Sequence, residues 1–365
     1  MTSDFKANGL VPSQVGSSQP NVHLVFVEDG HALIPDLLSL VRGEFARAGT
    51  DLVIRAPNGE VYLIQDFFLT EPYPDLVDGS GHVTIAGDLA ARLAGPLAPA
   101  QVAQDGADAG AQPIGRVETL SGEVTAIRAD GTTVSLAVGD PVFQDDIIET
   151  GADGTVGLAF VDETTVALGE NGEIVLDELI YDPDAETGTA AFTLVSGASS
   201  FISGKIAKAG NENMKIGTPV ATIGIRGTQV FLEFDPTNGN MTILNRPEDL
   251  GGGQSAVGEI VLTVNGQVVG TINQGNSGWQ WNASQGQAPA QVQFTAAQAS
   301  QLAGAVETVV TQARQTFQQQ QQQNGDGTGT NDGTGTNDGT GTNDGTGTND
   351  GTGTNDGTGT NDGTG

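Results

Sequence analysis

Short runs of alternating apolar and polar residues, separated by turn residues, are the feature that most constrains the fold of this chain. Between Ile114 and Trp281 these runs recur about every 8–12 residues. In one of them, Val156, Leu158 and Phe160 lie on the same side of a strand. Such alternation indicates half-buried antiparallel strands. We therefore predict a mainly β protein whose all-β domain, at 114–281, is a sandwich or a short β-solenoid.

A smaller module is predicted upstream of this domain. Residues 1–20 are polar and are expected to form a disordered leader. Residues 21–95 contain further short apolar runs and are interpreted as a small β-rich module. The stretch at 96–113 is rich in Pro, Ala and Gly, which is typical of a linker.

Two elements of the small module can be predicted individually. The segment after Pro35 has helical periodicity, and a helix closing at Gly49 is expected. Two apolar runs flank Asn58-Gly59, a pair of residues that favours a tight hairpin turn. The module is therefore expected to combine one helix with at least one hairpin.

An amphipathic helix is predicted at 295–317, after a second linker at 282–294. Thr295 and Gln298 form a capping-box pattern at its start. The helix face can pair with another chain, giving self-association, or pack back on the all-β domain, and the sequence leaves both alternatives open. The apolar residues of this face recur at heptad-like spacing: Leu302, Val306, Val309, Ala313 and Phe317.

Low-complexity sequence occupies 318–365. Six glutamines come first, and the hexapeptide GTGTND then repeats to the last residue, stopping partway through a copy, as expected for a piece of a longer protein. Without apolar side chains the repeats cannot bury a core, so a disordered tail is predicted. Its regular carboxylates suit calcium, but we favour a solvated spacer because the period differs from that of calcium-binding rolls. These carboxylates are Asp332, Asp338, Asp344, Asp350, Asp356 and Asp362.

Charge excludes several classes of partner. The chain has 13 Lys and Arg against 45 Asp and Glu, a formal net charge of −32. Nucleic acids and anionic lipid surfaces require a basic face, so neither is an expected partner. The absence of cysteine excludes disulfides and thiolate metal sites. The N-terminus lacks the apolar core of a Sec signal peptide, and no apolar run is long enough for a transmembrane segment.

Candidate chemical groups are few. His23, His31 and His82 could bind zinc if they converged, but their spacing does not require it. Trp279 and Trp281 share one strand face, where they could stack on a sugar or cap the edge of a sheet, and we favour the cap. None of the familiar catalytic motifs is present, so no enzyme activity, cofactor or metal is predicted.

Arg226 is the only cation in the apolar stretch TPVATIGIRGTQVFLEF, which begins at Thr218. Ile225 and Val230 belong to runs of opposite parity, and the switch falls at Gly227-Thr228, which predicts a β-bulge. Arg226 beside that bulge is interpreted as a structural clamp on carbonyl or carboxylate oxygens. Its alternative role is to anchor an anion or a protein partner.

The segment TPVATIGIRGT resembles the hallmark segment of the FecR-like domain family. Upstream, VGDPVFQDDIIETGADGT and FTLVSGASSFISGKIA are similar to that family's pattern as well, so the resemblance covers 114–234. The sequence departs from the pattern at Asp145 and Glu163, where the family usually carries glycine. The family-motif residues, to which the resemblance assigns structural roles, are Gly139, Asp140, Gly151, Thr218, Pro219, Gly224, Arg226, Gly227 and Thr228.

The resemblance implies an extracytoplasmic, all-β interaction domain. Founding members of the family sense iron-citrate uptake through a membrane helix and a cytoplasmic anti-sigma arm, and neither is expected here. Stand-alone domains of this type occur in large bacterial surface proteins exported by type I-like systems. Our first hypothesis is therefore a non-enzymatic interaction or anchoring module of an adhesin-like protein that is secreted, at the cell surface or periplasmic. The alternative is a FecR-type envelope signalling regulator that acts through partner proteins.

Overall fold

The computed structural model describes residues 22–95, 112–210 and 212–327, together with four Thr-Asn pairs in the repeats. The predicted leader at 1–20 and nearly all of the linker at 96–113 lie outside the described residues. So do the repeat aspartates considered as calcium ligands. Among the described residues, no helix has both the length and the apolar character needed to cross a bilayer.

The N-terminal module consists of two four-stranded sheets and two short helices. Sheet A has the strand order β1-β6-β5-β4, and sheet B has the order β2-β3-β7-β8. A single turn of 3-10 helix, Phe67–Leu69, lies between β6 and β7. The elements are β1 Val22–Val25, β2 Val27–Glu28, β3 His31–Ile34, α1 Leu37–Arg42, β4 Glu44–Ala48, β5 Asp51–Arg55, β6 Val61–Ile64, β7 Asp75–Asp78, β8 Thr84–Ile85 and α2 Gly87–Leu93.

Helix α1 is shorter than predicted, whereas the hairpin after it is confirmed. Asp36 caps α1 by accepting a 2.8 Å hydrogen bond from the backbone N–H of Ser39. The helix stops at Gly43, where the chain becomes extended and β4 begins, so the expected helix end at Gly49 is wrong. Strands β5 and β6 pair antiparallel across the Asn58-Gly59 turn. Here the pairing of β4 with β5 outweighed the local helical pattern.

Seventeen described strands of the all-β domain form one continuous set of ladders. Two further strands, β22 and β23, form a separate hairpin. The predicted linker at 282–294 contains the last strand, so the domain extends beyond its expected end. The elements are β9 Gly115–Ser121, β10 Val124–Ile127, β11 Thr133–Ser135, β12 Pro141–Val142, β13 Ile147–Thr150, β14 Thr155–Phe160, β15 Thr165–Leu168, β16 Glu173–Asp182, β17 Thr187–Ile202, α3 Lys205–Ala209, β18 Met214–Thr218, β19 Ala221–Arg226, β20 Gln229–Asp235, β21 Asn240–Arg246, β22 Glu248–Gly251, β23 Gln254–Ala256, β24 Glu259–Val264, β25 Gln267–Ile272, β26 Ser277–Asn282 and β27 Ala290–Gln293.

The seventeen strands form two layers. Sheet C has the order β12-β9-β14-β15-β17-β20-β21-β26-β27, and sheet D has the order β11-β10-β13-β16-β17-β18-β19-β24-β25. The 16-residue strand β17 belongs to both, because its pairing changes from sheet D to sheet C between Ser196 and Gly197. Gly197 has φ of 88°, a conformation that favours glycine at this bend.

The core lies between the two layers. Phe192, in the sheet D half of β17, contacts Phe160 and Phe201 of sheet C at ring-centroid distances of 5.1 and 5.7 Å. Successive hairpins belong to the two sheets in turn. Hairpin β18-β19 lies in sheet D, β20-β21 in sheet C and β24-β25 in sheet D. The mainly β prediction is confirmed. The domain is a two-layer sandwich along which the chain advances hairpin by hairpin, as in a solenoid.

Helix α4, Ala296–Gly327, packs back on the outer face of sheet C. The capping box is confirmed, since the Thr295 N–H donates to Gln298 Oε1 and the Gln298 N–H donates to Thr295 Oγ1. The helix passes its predicted end at 317, because glutamine is a good helix former and a docked helix propagates easily. The buried residues of this contact are Ala167, Ile202, Phe231, Leu244, Phe294, Ala299, Ala303, Val306 and Val310.

The four Thr-Asn pairs in the repeats form two short parallel pairings. They join strands twelve residues apart in sequence. The strands are β28 Thr336–Asn337 with β30 Thr348–Asn349, and β29 Thr342–Asn343 with β31 Thr354–Asn355.

Candidate functional site

The Thr218-Pro219 pair of the family motif forms the turn between β18 and β19. The Thr218 hydroxyl accepts from the backbone N–H of Ala221 at 3.0 Å and donates to its carbonyl at 2.9 Å. Pro219 therefore lies outside the ladders, as expected of a residue without an N–H. Its carbonyl accepts a 2.8 Å hydrogen bond from the Thr84 N–H of the N-terminal module. The motif turn is thus one of the points where the two modules meet.

Gly227 and Thr228 carry the chain from sheet D to sheet C. Strand β19 pairs in sheet D and β20 in sheet C, so the parity switch is a crossing between layers, and the predicted β-bulge is wrong. Gly227 has φ of 59°. Thr228 is fully buried, and its hydroxyl donates to Asn245 Oδ1 at 2.6 Å. The backbone N–H of Thr228 donates to Ser203 Oγ at 2.8 Å, which satisfies the polar groups at this corner.

Arg226 does not occupy the expected clamp position. Its side chain is exposed at the end of β19, directly opposite Glu259 in the ladder. Among the described residues, its guanidinium makes no hydrogen bond or ion pair with protein oxygens. The close contact here belongs to the backbone: a Cβ on Gly258 would lie 2.0 Å from the Arg226 carbonyl oxygen. The side chain is therefore available to solvent or to a partner.

The remaining motif residues lie in turns and one strand. Gly139 has φ of 94°, and the Asp140 side chain closes the same turn by accepting a 2.8 Å hydrogen bond from the Ala137 N–H. Gly151 pairs with two loops, because its N–H donates to Glu123 and its carbonyl accepts from Asn171. Gly224 sits within β19 between β18 and β24. The motif residues are therefore spread along the domain and are not gathered at one cleft.

Asp145 and Glu163 keep the turns that glycine usually forms in the family. Their φ angles are 66° and 70°, in the left-handed region that costs an ordinary residue about 1 kcal/mol. Each has acquired a charged partner, since Asp145 pairs with Arg92 at 3.2 Å and Glu163 pairs with Lys205 at 3.2 Å. Both departures from the FecR-like pattern thus place a charged side chain in a left-handed turn.

Neither the tryptophans nor the histidines form a binding site. Trp279 and Trp281 are buried, 3% and 7% exposed, on a strand paired on both sides, so the sugar-stacking and edge-capping interpretations are both wrong. His23 stacks on Tyr62 in sheet A, with ring centroids 5.2 Å apart. In the described parts of the chain, no three His, Asp or Glu side chains converge as a metal site would require.

The contact between the modules, which we call the seam, adds arginine contacts to an apolar core that the two modules share. Arg92 of α2 pairs with Asp145 and Asp177 of the all-β domain. Arg42 of α1 donates to the Asn171 carbonyl. Both arginines thus neutralise a surface that is otherwise acidic, in a chain where cations are scarce. Loss of these pairs is expected to weaken the docking of the N-terminal module.

Two glutamates face each other across the ladder beneath α1. Glu149 of β13 lies directly opposite Glu173 of β16. Burial, and then the charge of Glu149, raise the pKa of Glu173 to about 8, although Arg42 acts in the opposite direction. Burial also raises the pKa of Glu149. Glu173 therefore holds a proton at neutral pH, and this keeps two like charges from meeting at the seam.

The outer face of sheet A is apolar and uncovered by other described elements. Val25, Tyr62 and Ile64 are buried on the inner face, so the alternate positions point outward. Strand β1 pairs only with β6 among the described strands, which leaves its other edge free. The outer face, called the apolar face below, consists of Val22, Leu24, Val53, Val61 and Leu63, with Phe26 beyond the end of β1; Val22, Leu24 and Phe26 are 59%, 54% and 68% exposed.

Sequence reasoning missed both the seam and the apolar face. The only available signal for the seam was the scarcity of cations: Arg42 and Arg92 are among just nine arginines. The sequence gives no sign of the apolar face, because β1 has an ordinary alternating pattern and β6 an ordinary continuous apolar run. Only the pairing of β1 with β6 shows that one of their two faces has no covering layer.

Comparison with known proteins supports the resemblance of the all-β domain. Residues 146–245 match the family model described as FecR protein. No curated protein matches the chain. Two crystal structures of a candidate anti-sigma factor from Parabacteroides distasonis ATCC 8503 match with 11% identity and a TM-score of 0.33. Each alignment covers 42% of this chain and 62% of that protein, so the chain spans less than two thirds of its length.

A structure described as a cell surface anchoring domain also matches. It shares 37% identity over 17% of this chain and 82% of its own, with a TM-score of 0.17. TM-scores of this size carry no argument about fold or function, so the family match stands on its own. That match begins at Asp146, directly after the turn that contains Asp145, and ends at Asn245, the partner of Thr228. The all-β domain of this chain therefore carries a FecR-like region at residues 146–245.

Proposed function

We propose that this protein is a non-enzymatic signalling module of the bacterial envelope, which acts by binding partner proteins. The FecR-like region at 146–245 carries this proposal. It forms the middle of the sandwich, including the crossing from sheet D to sheet C. On this view the motif residues from Thr218 to Thr228 shape the corner and the docking turn, and recognition takes place on a surface elsewhere.

The apolar face of sheet A is the surface best suited to a protein partner. Monomeric soluble proteins seldom expose a contiguous patch of large apolar side chains without a use for it. The free edge of β1 adds unpaired backbone donors and acceptors, which an extended partner segment can complete. Val22, Leu24 and Phe26 would then supply the side-chain contacts.

Anchoring within an adhesin-like surface protein, our first hypothesis from the sequence, is the second candidate. The polar repeats favour it, because they follow directly after the docked helix α4. A docked helix followed by a polar repeat would hold the sandwich at a distance from what comes next. The family match nevertheless favours signalling, because FecR proteins are regulators. Both candidates place the protein outside the cytoplasm.

The two candidates are separated by a genetic experiment in the native bacterium. We expect deletion of the gene to change transcripts that depend on an alternative sigma factor, and the wild-type gene to restore them. A Leu24→Asp/Phe26→Asp variant should fail to restore them. Val268→Asp is the matched control, since Val268 is 67% exposed in the all-β domain. Unchanged transcripts, together with loss of cell attachment to surfaces, would refute signalling and support anchoring.

A further inference from the structure

A cleft opens at the seam, between β4 and α2 of the N-terminal module and the turn after β10 of the all-β domain. Its cavity volume is about 460 Å³, within the range of small-molecule sites, roughly 300–1,000 Å³. Both modules contribute walls, so the cleft exists only while they are docked. We call it the seam cleft, and its defining residues are Arg47, Phe68, Tyr73, Arg92, Arg128 and Asp145.

The seam cleft concentrates cations. Three of the nine arginines in a chain of net charge −32 line this one cavity. Two of them are neutralised by neighbouring carboxylates. Arg92 pairs with Asp145 and Asp177, and Arg128 pairs with the buried Asp146. These two arginines therefore serve the docking of the modules and the closure of the adjacent turn.

Arg47 is the exception. Within the described parts of the chain, its guanidinium forms no ion pair with a carboxylate. It donates to the Gly49 carbonyl at 3.2 Å and lies 4.0 Å above the ring of Phe68. Asp88 also lines the cleft but makes no ion pair with Arg47. A half-buried arginine thus presents unused donors to a cavity, in a protein where carboxylates outnumber cations more than threefold.

The wall beside Arg47 is aromatic. Tyr73 stacks on Phe67 with ring centroids 5.6 Å apart and an interplanar angle of 11°. Phe68 meets Tyr73 edge to face at 5.9 Å. The cation thus lies beside flat, apolar surfaces that would receive a planar group. A guanidinium fork matches a carboxylate with two parallel hydrogen bonds. Because Asp88 adds a negative charge to the same cleft, Arg47 matches a monoanion better than a dianion.

We propose that the seam cleft binds a small organic carboxylate that carries a planar apolar group. The carboxylate would pair with Arg47, and the planar group would pack against Phe68 and Tyr73. The ligand would touch both modules and therefore stabilise their docking. This site does not rest on the signalling role proposed above, since it follows from the cleft alone.

Phenylacetate is the probe for the test, and the full chain with ¹³C-labelled alanine methyl groups is the sample. Ala91 and Ala129 line opposite walls of the cleft, one in each module. We expect their NMR signals to shift together, with a single Kd. Arg47→Gln should weaken binding about tenfold or more, as expected for a lost charge-assisted pair. Arg55→Gln is the matched control, because Arg55 lies in the neighbouring strand and pairs with Glu44 outside the cleft.

Two further probes decide the ligand class. Benzyl alcohol has the same ring without the charge, and should bind much more weakly than phenylacetate. Equal binding of the alcohol, or tighter binding of phenylphosphate, would overturn the assignment to carboxylates. Absence of shifts at Ala91 and Ala129 up to about 10 mM phenylacetate would overturn the site itself. If Arg47→Gln does not fold, Arg47→Lys retains the charge without the fork and should still weaken binding.

Discussion

At the scale of single residues, the left-handed turns show how this chain holds a positive φ at residues other than glycine. Glu163 adopts φ of 70° where FecR-like sequences usually have glycine. The turn is closed by its N–H, which donates to the Phe160 carbonyl at 3.0 Å. The side chain reaches Lys205, which also pairs with Glu186. The ion pair is partly exposed and offsets only a fraction of the backbone strain.

Glycine at position 163 should therefore stabilise the domain relative to alanine. Glu163→Gly and Glu163→Ala both remove the pair with Lys205, but only glycine adopts positive φ without strain. We expect the glycine variant to unfold with a free energy about 1 kcal/mol higher than that of the alanine variant, measured by urea denaturation. Elsewhere in ordered structure alanine is the more stabilising of the two, so the reverse order would show that this turn is not left-handed.

At the scale of elements, helix α4 and sheet C depend on small residues at their contact. A Cβ on Gly157 would lie 2.6 Å from the Ala313 Cβ, and one on Gly169 would lie 2.9 Å from a Val306 methyl group. Gly157 within β14 and Gly169 just after β15 thus let the helix approach closely. Two ion pairs also connect α4 to the all-β domain: Arg246 pairs with Glu307 at 2.8 Å, and Arg314 pairs with Glu248 at 2.7 Å. Sheet C covers this helix face within the chain, and self-association through the helix stays a prediction.

Two alanines of α4 provide a matched test of this docking. Ala303 is fully buried against sheet C, whereas Ala305 is exposed on the opposite side of the helix. Ala303→Asp should lower the free energy of unfolding by about 3 kcal/mol, since it buries a charge without a partner. Ala305→Asp should change it by less than about 0.5 kcal/mol. Equal effects of the two substitutions in urea denaturation would mean that α4 is free of the sheet.

At the scale of the whole molecule, the two modules meet through a shared apolar core, a backbone hydrogen bond at Pro219 and a few arginines. Arg42 and Arg92 supply side-chain contacts across the seam, and Glu149 lies opposite Glu173 near Arg42. A carboxyl whose pKa is higher in the folded than in the unfolded protein binds more protons when folded. Stability is therefore lost as the pH rises from the unfolded pKa towards the folded one. For Glu173 this window runs from its ordinary value of 4.5 to about 8.

Glu173→Gln removes this titrating group, so the variant should not undergo the loss of stability that ionisation of Glu173 causes as the pH rises. The variant and the wild type should differ little in stability at pH 5. At pH 9 the variant should be more stable by at least about 1.4 kcal/mol, the free energy that corresponds to one pKa unit. Urea denaturation at pH 5, 7 and 9 measures the difference. Glu178→Gln, in the same strand but opposite Ala191, is the control. A difference that does not grow with pH would contradict a raised pKa at Glu173.

Local patterns were sufficient to predict many of the strands, the start of α4 and the character of the central domain, but not the short helices α2 and α3. Alternation identified the strands, the capping box marked the start of α4, and the Thr218–Thr228 segment identified the FecR-like region. Each of these signals lies within a short stretch of chain, where the period of the side chains or a turn residue decides the local conformation. The helix predicted up to Gly49 failed because strand pairing with β5 is not a local property.

The pairing of distant segments decided everything else. The parity switch at Gly227-Thr228 is visible in the sequence, but only the two layers show that it is a crossing and not a bulge. The sequence likewise left open whether α4 packs on its own domain or pairs with another chain, and only the tertiary structure shows that it docks on the apolar outer face of sheet C. The seam and the seam cleft depend on Arg47, Arg92 and Arg128, which are far apart in the sequence. The sequence by itself determined which residues alternate and where the chain turns, because those are local effects. Tertiary structure alone determined which faces are covered and which charges meet, because burial and ion pairing depend on contacts between segments far apart in the chain.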